Sequence, residues 1–224
     1  VGTILVAFDR AALLGLAVDH DAVIELVAAV GDHVPSEGLV LRVHGTRSIP
    51  ERRLRAALLF GDERTIEDDP AFTLRLLVDV AIKALSPAVN DPTTAVQSLH
   101  RIEDILRYAA PRLLSTGVVT DGHGRARIIH PTPTWDDLVS LSLDEIRLFG
   151  AGQYQIARRV RALLLDLLED VPEARRHAPR EQLALLDDAV ARELPESQRA
   201  DALVADRQGL GLGRSDARVN PRET

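Results

Sequence analysis

Apolar side chains follow two different periods along this chain. Up to about residue 45 they come in short, β-branched runs: Thr3-Ile-Leu-Val-Ala-Phe8, Ala22 to Val30, and Leu39-Val-Leu-Arg-Val43. Runs of this kind between turn signals predict strands. Asp9 stands where it can cap a helix through Leu13, Leu14 and Leu16 that stops near Asp19-His20-Asp21, and Gly31-Asp32 supplies a turn. Residues 1–45 therefore read as a small βαββ element, barrel-like in outline.

From Pro50 the period becomes helical. Glu51 to Leu59 is expected to form a short helix closed by Gly61. Asp69-Pro70 and Asn90-Asp91-Pro92 each place a capping carboxylate before a proline at the first helical position. The first opens a helix to about Leu85; the second opens one whose Ala95, Val96, Leu99, Ile102, Ile105 and Leu106 share a face. Val118–Thr120 and Ala126–Ile129 flank Asp121-Gly-His-Gly124, the pattern of a β-hairpin. Thr134 can cap a helix carrying Trp135, Leu138, Val139 and Ile146, and Arg180 to Leu194 reads as another. Between them Ile156, Val160, Leu163, Leu164, Leu167 and Leu168 form a stripe, with Arg158, Arg159 and Arg161 expected mostly off it.

The fold class is thus α+β and mainly helical: the N-terminal element, then a helical body over residues 46–207 with one hairpin near 118–129. The run Gly-Leu-Gly-Leu-Gly after Gln208 has no period, so 208–224 is expected to be a disordered tail.

Composition narrows the function classes. Aromatics are only 3%, so a core must come from Leu, Val, Ile and Ala, which favours helix packing. A formal net charge of -7 with no basic stripe argues against nucleic acid as a partner. The absence of cysteine removes disulfides and thiolate chemistry together. No apolar run approaches the roughly 18 residues of a membrane helix. The chain contains no methionine and starts at Val1, which leads us to expect part of a longer protein.

The polar residues that stand out lie between Glu63 and Thr94. Arg64, Thr65, Asp69, Asn90, Asp91, Thr93 and Thr94 could line one ligand pocket. Asp69 and Asp91 have the simpler reading of helix N-caps. Carboxylates in such a pocket would suit a divalent cation, although the spacing matches no established metal loop. Arg75, Asp79 and Lys83 recur every four residues and form a charged stripe on an otherwise apolar helix, either a wet edge laced by ion pairs or the lining of a cavity or ion path. The histidines show no metal-ligand spacing, and neither a Gly-flanked serine elbow nor a phosphate loop is found, so no catalytic motif emerges and the balance leans away from an enzyme.

Val30-Gly-Asp-His-Val34 with Glu37-Gly38 and Leu39–Leu41 has the turn-and-strand pattern of biotinyl and lipoyl carrier barrels. The only lysine is Lys83, outside this region, so covalent biotin or lipoyl carriage is excluded.

The stretch Glu63 to Phe72 and the run Leu77 to Val96, with its Leu-Ser-Pro, Asn-Asp-Pro and Thr-Ala signature, resemble the DUF2254 family of predicted membrane proteins, a domain of unknown function. The resemblance extends to the Val30-Gly-Asp turn and to Trp135-Asp-Asp-Leu through Glu145-Ile-Arg147. The start departs from the more usual Gly-Tyr-Val opening with Gly2-Thr3-Ile4, and Glu67-Asp68 stands where Gln is common before Asp-Pro. Family membership implies an N-terminal membrane region of the same chain as partner, cell-membrane localisation with this portion on the cytoplasmic side, and no activity to carry over. The leading expectation is a soluble regulatory, ligand-sensing or assembly domain. A metal-assisted hydrolase using the polar residues between Glu63 and Thr94 is the first alternative, and a non-catalytic, homo-oligomeric scaffold the second.

Overall fold

A computed structural model describes residues 2–62 and 70–212. They fall into two compact units: Val1–Phe72 with Ser115–Thr134, and Thr73–Leu114 with Trp135–Thr224. The chain is α+β and mainly helical, as its periodicity predicts.

The first unit holds strands β1 (Thr3–Phe8), β2 (Val23–Leu26), β3 (His33–Val34), β4 (Leu41–His44), β5 (Leu58–Gly61), β6 (Val118–Thr120) and β7 (Ala126–Ile129), with helices α1 (Arg10–Asp19) and α2 (Glu51–Ala56). One sheet has the order β3-β1-β5 and the other β4-β2-β7-β6. The Asp9 carboxylate accepts the Ala12 N–H at 2.9 Å and starts α1, whose Leu13, Leu16 and Ala17 are buried. With Leu5, Ile24, Leu26, Val119 and Ile128 they form one apolar core.

Two expectations are corrected here. Helix α2 stops at Ala56, and Leu58–Gly61, expected as its continuation, pairs antiparallel with β1. The need of β1 for a second hydrogen-bonded neighbour overrides the helical reading of Leu58 and Leu59. The 118–129 hairpin forms as expected and divides the helical body in sequence, but β7 runs parallel to β2, with Ile24 opposite Ile128, so the hairpin is part of the first unit.

Asp121 organises the hairpin tip. Its Oδ1 accepts the N–H groups of His123 (2.9 Å) and Arg125 (3.1 Å), and its Oδ2 accepts Arg127 Nε at 2.8 Å. Arg127 also donates to Asp21 at 2.9 Å, tying the hairpin to the α1–β2 turn. The Arg127 guanidinium and these N–H groups hold the Asp121 carboxyl down from 3.8 to about 2. A carboxyl depressed on folding contributes stability above its unfolded value, lost as pH falls through its folded value. We expect wild type to lose more stability than Asp121→Asn as pH is lowered from about 4 to about 2, measured by urea titration at each pH. Parallel curves would disprove this role.

The second unit contains α3 (Pro70–Ala84, its first three residues counted with the first unit), α4 (Pro92–Ala109), α5 (Trp135–Gly150), α6 (Tyr154–Asp170), α7 (His177–Glu193) and α8 (Glu196–Ala202). Helix α6 is central, packing against α4, α5, α7 and α8. Leu99, Ile102, Leu143, Ile146, Ile156 and Leu163 are fully buried. Arg175 donates to the carbonyls of Ala109 (3.1 Å) and Ala110 (2.6 Å), satisfying the C-terminal end of α4. Residues 208–212, expected to be tail, are instead tied to α6 by hydrogen bonds; 213–224 lie outside the described residues.

Candidate functional site

Of the residues expected to form a polar pocket, Arg64, Thr65 and Asp69 lie outside the described residues. The other four belong to a turn and cap. After Leu85-Ser86-Pro87 the chain reverses, with the Asn90 N–H donating to Ser86 O at 2.8 Å and Asn90 at a φ of +48°. Asn tolerates that left-handed conformation better than most residues. Asp91 then caps α4: one carboxylate oxygen accepts the Thr94 N–H at 3.1 Å, the other the Thr94 hydroxyl at 2.6 Å. Those bonds, the hydroxyl first, hold the Asp91 carboxyl below its ordinary range. Pro92 occupies the first helical position, and Thr93 is exposed. The geometry accounts for Asn90-Asp91-Pro92-Thr93-Thr94 as a helix start, with the Asp91 oxygens facing Thr94.

The charged stripe is only partly an in-sequence ladder. Arg75 Nε donates to Asp79 at 2.8 Å, but its guanidinium also reaches Glu145 on α5, through Nη1 to Oε1 and through Nη2 to Oε2 at 3.2 Å. This two-pronged contact holds Glu145 below the ordinary carboxylate range. Lys83 is exposed and has no carboxylate partner among the described residues. The rest of α3 is wetter than its composition suggests: Leu76 is 37% and Val80 48% exposed. Only Leu74, Val78, Ala81 and Ala84 are buried.

A buried ion pair of the helical unit is one that periodicity misassigns. Arg159, expected off the apolar stripe of α6, lies on it at 2% exposure and pairs through Nη2 with Glu103 of α4, itself 8% exposed. Nε and Nη1 of Arg159 have no hydrogen-bond partner among the described residues. Glu103 also accepts Arg107 Nη1 at 3.2 Å, and Arg107 reaches Asp170 at 2.6 Å. The signal was present in the sequence: Glu103 sits between Leu99 and Leu106, and Arg159 between Ile156 and Leu163, so opposite charges occupy apolar-face positions on two helices.

In the first unit the notable concavity is a groove of about 800 Å³. Its apolar walls include Leu41, Leu54, Leu58 and Phe60, and Glu37, Glu51 and Arg55 also line it. Glu37 is held at a φ of +65° in the turn closed by the Gly38 N–H to Pro35 O bond. None of these three charged side chains has an ion-pair partner among the described residues. This turn is the one with the carrier-barrel pattern, and here it shapes a groove wall. Among the described residues no group of three or more His, Asp or Glu is placed to hold a metal ion.

The fold and these features define an α+β protein whose helical unit is laced by buried and half-buried ion pairs. Comparison with known sequences then fixes its family. Residues 2–166 match the family described as predicted membrane protein DUF2254, and the chain belongs to it. An uncharacterised protein of Mycobacterium bovis and one of Mycobacterium tuberculosis are each 34% identical over 208 residues, covering 84% of this chain and 40% of their own length. A second uncharacterised Mycobacterium tuberculosis protein is 35% identical over 190 residues, covering 80% of this chain and 36% of itself. The chain thus spans about two fifths of the curated relatives it matches. No solved structure matches it. No helix among the described residues is long and apolar enough to cross a membrane.

Proposed function

We propose that this chain is the extramembrane, ligand-sensing portion of an integral membrane protein, lying on the cytoplasmic side and coupled to a membrane region of the same polypeptide. The observation that carries the sensing role is the groove of the first unit, whose apolar walls, with Glu37, Glu51 and Arg55 free of ion pairs among the described residues, are the surface expected of a site for a small amphiphile. The family description and the greater length of the relatives support the membrane context. The hydrolase reading is weaker, because Asp91 would have to give up its cap to serve a metal or a water.

The test heats the purified chain with a series of alkyl amines and alkyl carboxylates of increasing chain length. A ligand that binds only the folded state stabilises it by about 2.7 kcal/mol at a hundredfold excess over its Kd. We expect the melting temperature to rise with chain length in wild type, and the rise to vanish in Leu58→Asp, which places a charge on the groove wall. If no compound shifts wild type, sensing at this groove fails. The assembly reading would then be favoured, since Leu76 and Val80 on α3 and Leu148 and Phe149 at the end of α5 are exposed.

A further inference from the structure

The last described segment, residues 206–212, is held almost without apolar packing. Leu210 and Leu212 are each 66% exposed, and the side turned toward the helices is glycine. Gly209 has a φ of +70°, and a Cβ there would lie 2.4 Å from Cγ1 of Val96 on α4 and 3.5 Å from Cδ of Arg159 on α6. The strap therefore sits against both helices where only backbone fits.

Its anchoring contacts are polar: Arg207 of the strap pairs with the buried Asp166 of α6, through Nε at 2.7 Å and Nη2 at 2.6 Å, and the other contacts involve main chain. Gln155 Nε2 donates to Gly209 O at 2.6 Å, Arg158 Nη1 donates to Gly211 O, and Arg158 O accepts the Asp206 N–H at 3.1 Å. Asp206, 1% exposed, shapes the strap from within: its carboxylate accepts the N–H groups of Gln208 and Gly209 at 3.0 Å and of Gly211 at 2.7 Å. Beside the strap lies Arg159, two of whose nitrogens have no hydrogen-bond partner among the described residues.

Side chains that grip the carbonyls of a short, turned segment, with glycine against the wall, hold it through its main chain, as a peptide-binding groove does. A segment that buries little apolar surface is also drawn from the low-stability end of a structure, because water can replace its hydrogen bonds. We propose that α4 and α6 form a peptide-recognition groove occupied in cis by residues 206–212, which act as a displaceable latch beside Arg159. The trans occupant that fits is the same segment of a second copy, since it carries the Asp and the two inward glycines in the required order.

Hydrogen exchange on the full chain tests the latch. The Gly209 and Gly211 amides should exchange on the order of 100-fold faster than those of Leu163 and Leu167, opening without the helices. Gly209→Val, whose side chain collides with Val96, should empty the groove while leaving the helical circular dichroism intact. A labelled synthetic peptide of residues 206–212 should then bind this variant and not wild type at the same concentrations. Strap amides that exchange together with the α6 core, or a folded variant that fails to bind the peptide, would overturn the proposal. Should Gly209→Val not fold, Gln155→Ala removes one anchoring donor without adding volume. Faster strap exchange with unchanged α6 protection then supports the latch, and unchanged strap exchange overturns it.

Discussion

Replacing Glu103 by Leu is expected to destabilise the chain by roughly 3–5 kcal/mol, because it strands the Arg159 guanidinium in the interior. Arg159 is 2% exposed and already has two nitrogens without partners, so Glu103 is its only acceptor among the described residues. Exposed pairs in the same unit, such as Arg101 with Asp104, should contribute under about 1 kcal/mol each. The informative comparison is Glu103→Leu with Arg159→Met, which replaces the pair by apolar side chains of similar volume. Such swaps are often neutral or stabilising, so the double variant should recover most of the single variant's loss. Urea denaturation of wild type, both singles and the double gives the coupling directly. A Glu103→Leu loss no larger than that of Asp104→Ala, or a double variant no more stable than Glu103→Leu, would refute a stranded charge as the cause.

Local chemistry was legible in the sequence, and long-range pairing was not. The Asp9, Asp91 and Asp121 turns and caps are short-range: each carboxylate accepts N–H groups two to four residues away, and the sequence shows all the partners. The helices from Pro92 to Glu193 follow from one apolar face each. By contrast, Leu58–Gly61 became strand only because β1, some 50 residues earlier, offers it a partner, a fact that no window around Leu58 contains. The parallel match of β7 to β2 is more remote still, Ile24 meeting Ile128. The same limit governed the candidate sites. Arg75 was visible as the mate of Asp79, but Glu145, which shares it, lies 70 residues on. Arg159 was misassigned because three arginines in four positions look like a solvent face, although one of them falls on the stripe. The order of residues 208–212 comes from side chains of α6 gripping glycine carbonyls, a contact that leaves no hydrophobic period to read.

Gly117→Ala is expected to be the most damaging small substitution in the first unit, at roughly 2–4 kcal/mol. Gly117 precedes β6 with a φ of +72°, where an alanine is strained even in open space, and a Cβ would lie 2.1 Å from the His130 carbonyl oxygen. That oxygen is main chain and cannot swing aside. Relief requires β6 or the end of β7 to move, which stretches the His130 N–H to Gly117 O bond of 2.7 Å and the pairing of Val118 with Ile129 beside it. Val119 and Ile128 belong to the apolar core of this unit, so the displacement reaches buried side chains. Gly122 at the hairpin tip is the matched control: nothing lies within 4 Å of its added Cβ. Gly122→Ala should change stability by no more than about 0.5 kcal/mol, or raise it slightly by restricting the unfolded chain. Equilibrium urea curves for the two variants, with hydrogen exchange at Val118–Thr120 and Ala126–Ile129, separate the cases. If Gly117→Ala proves as mild as Gly122→Ala, the close approach of residues 117 and 130 does not set the register of this hairpin.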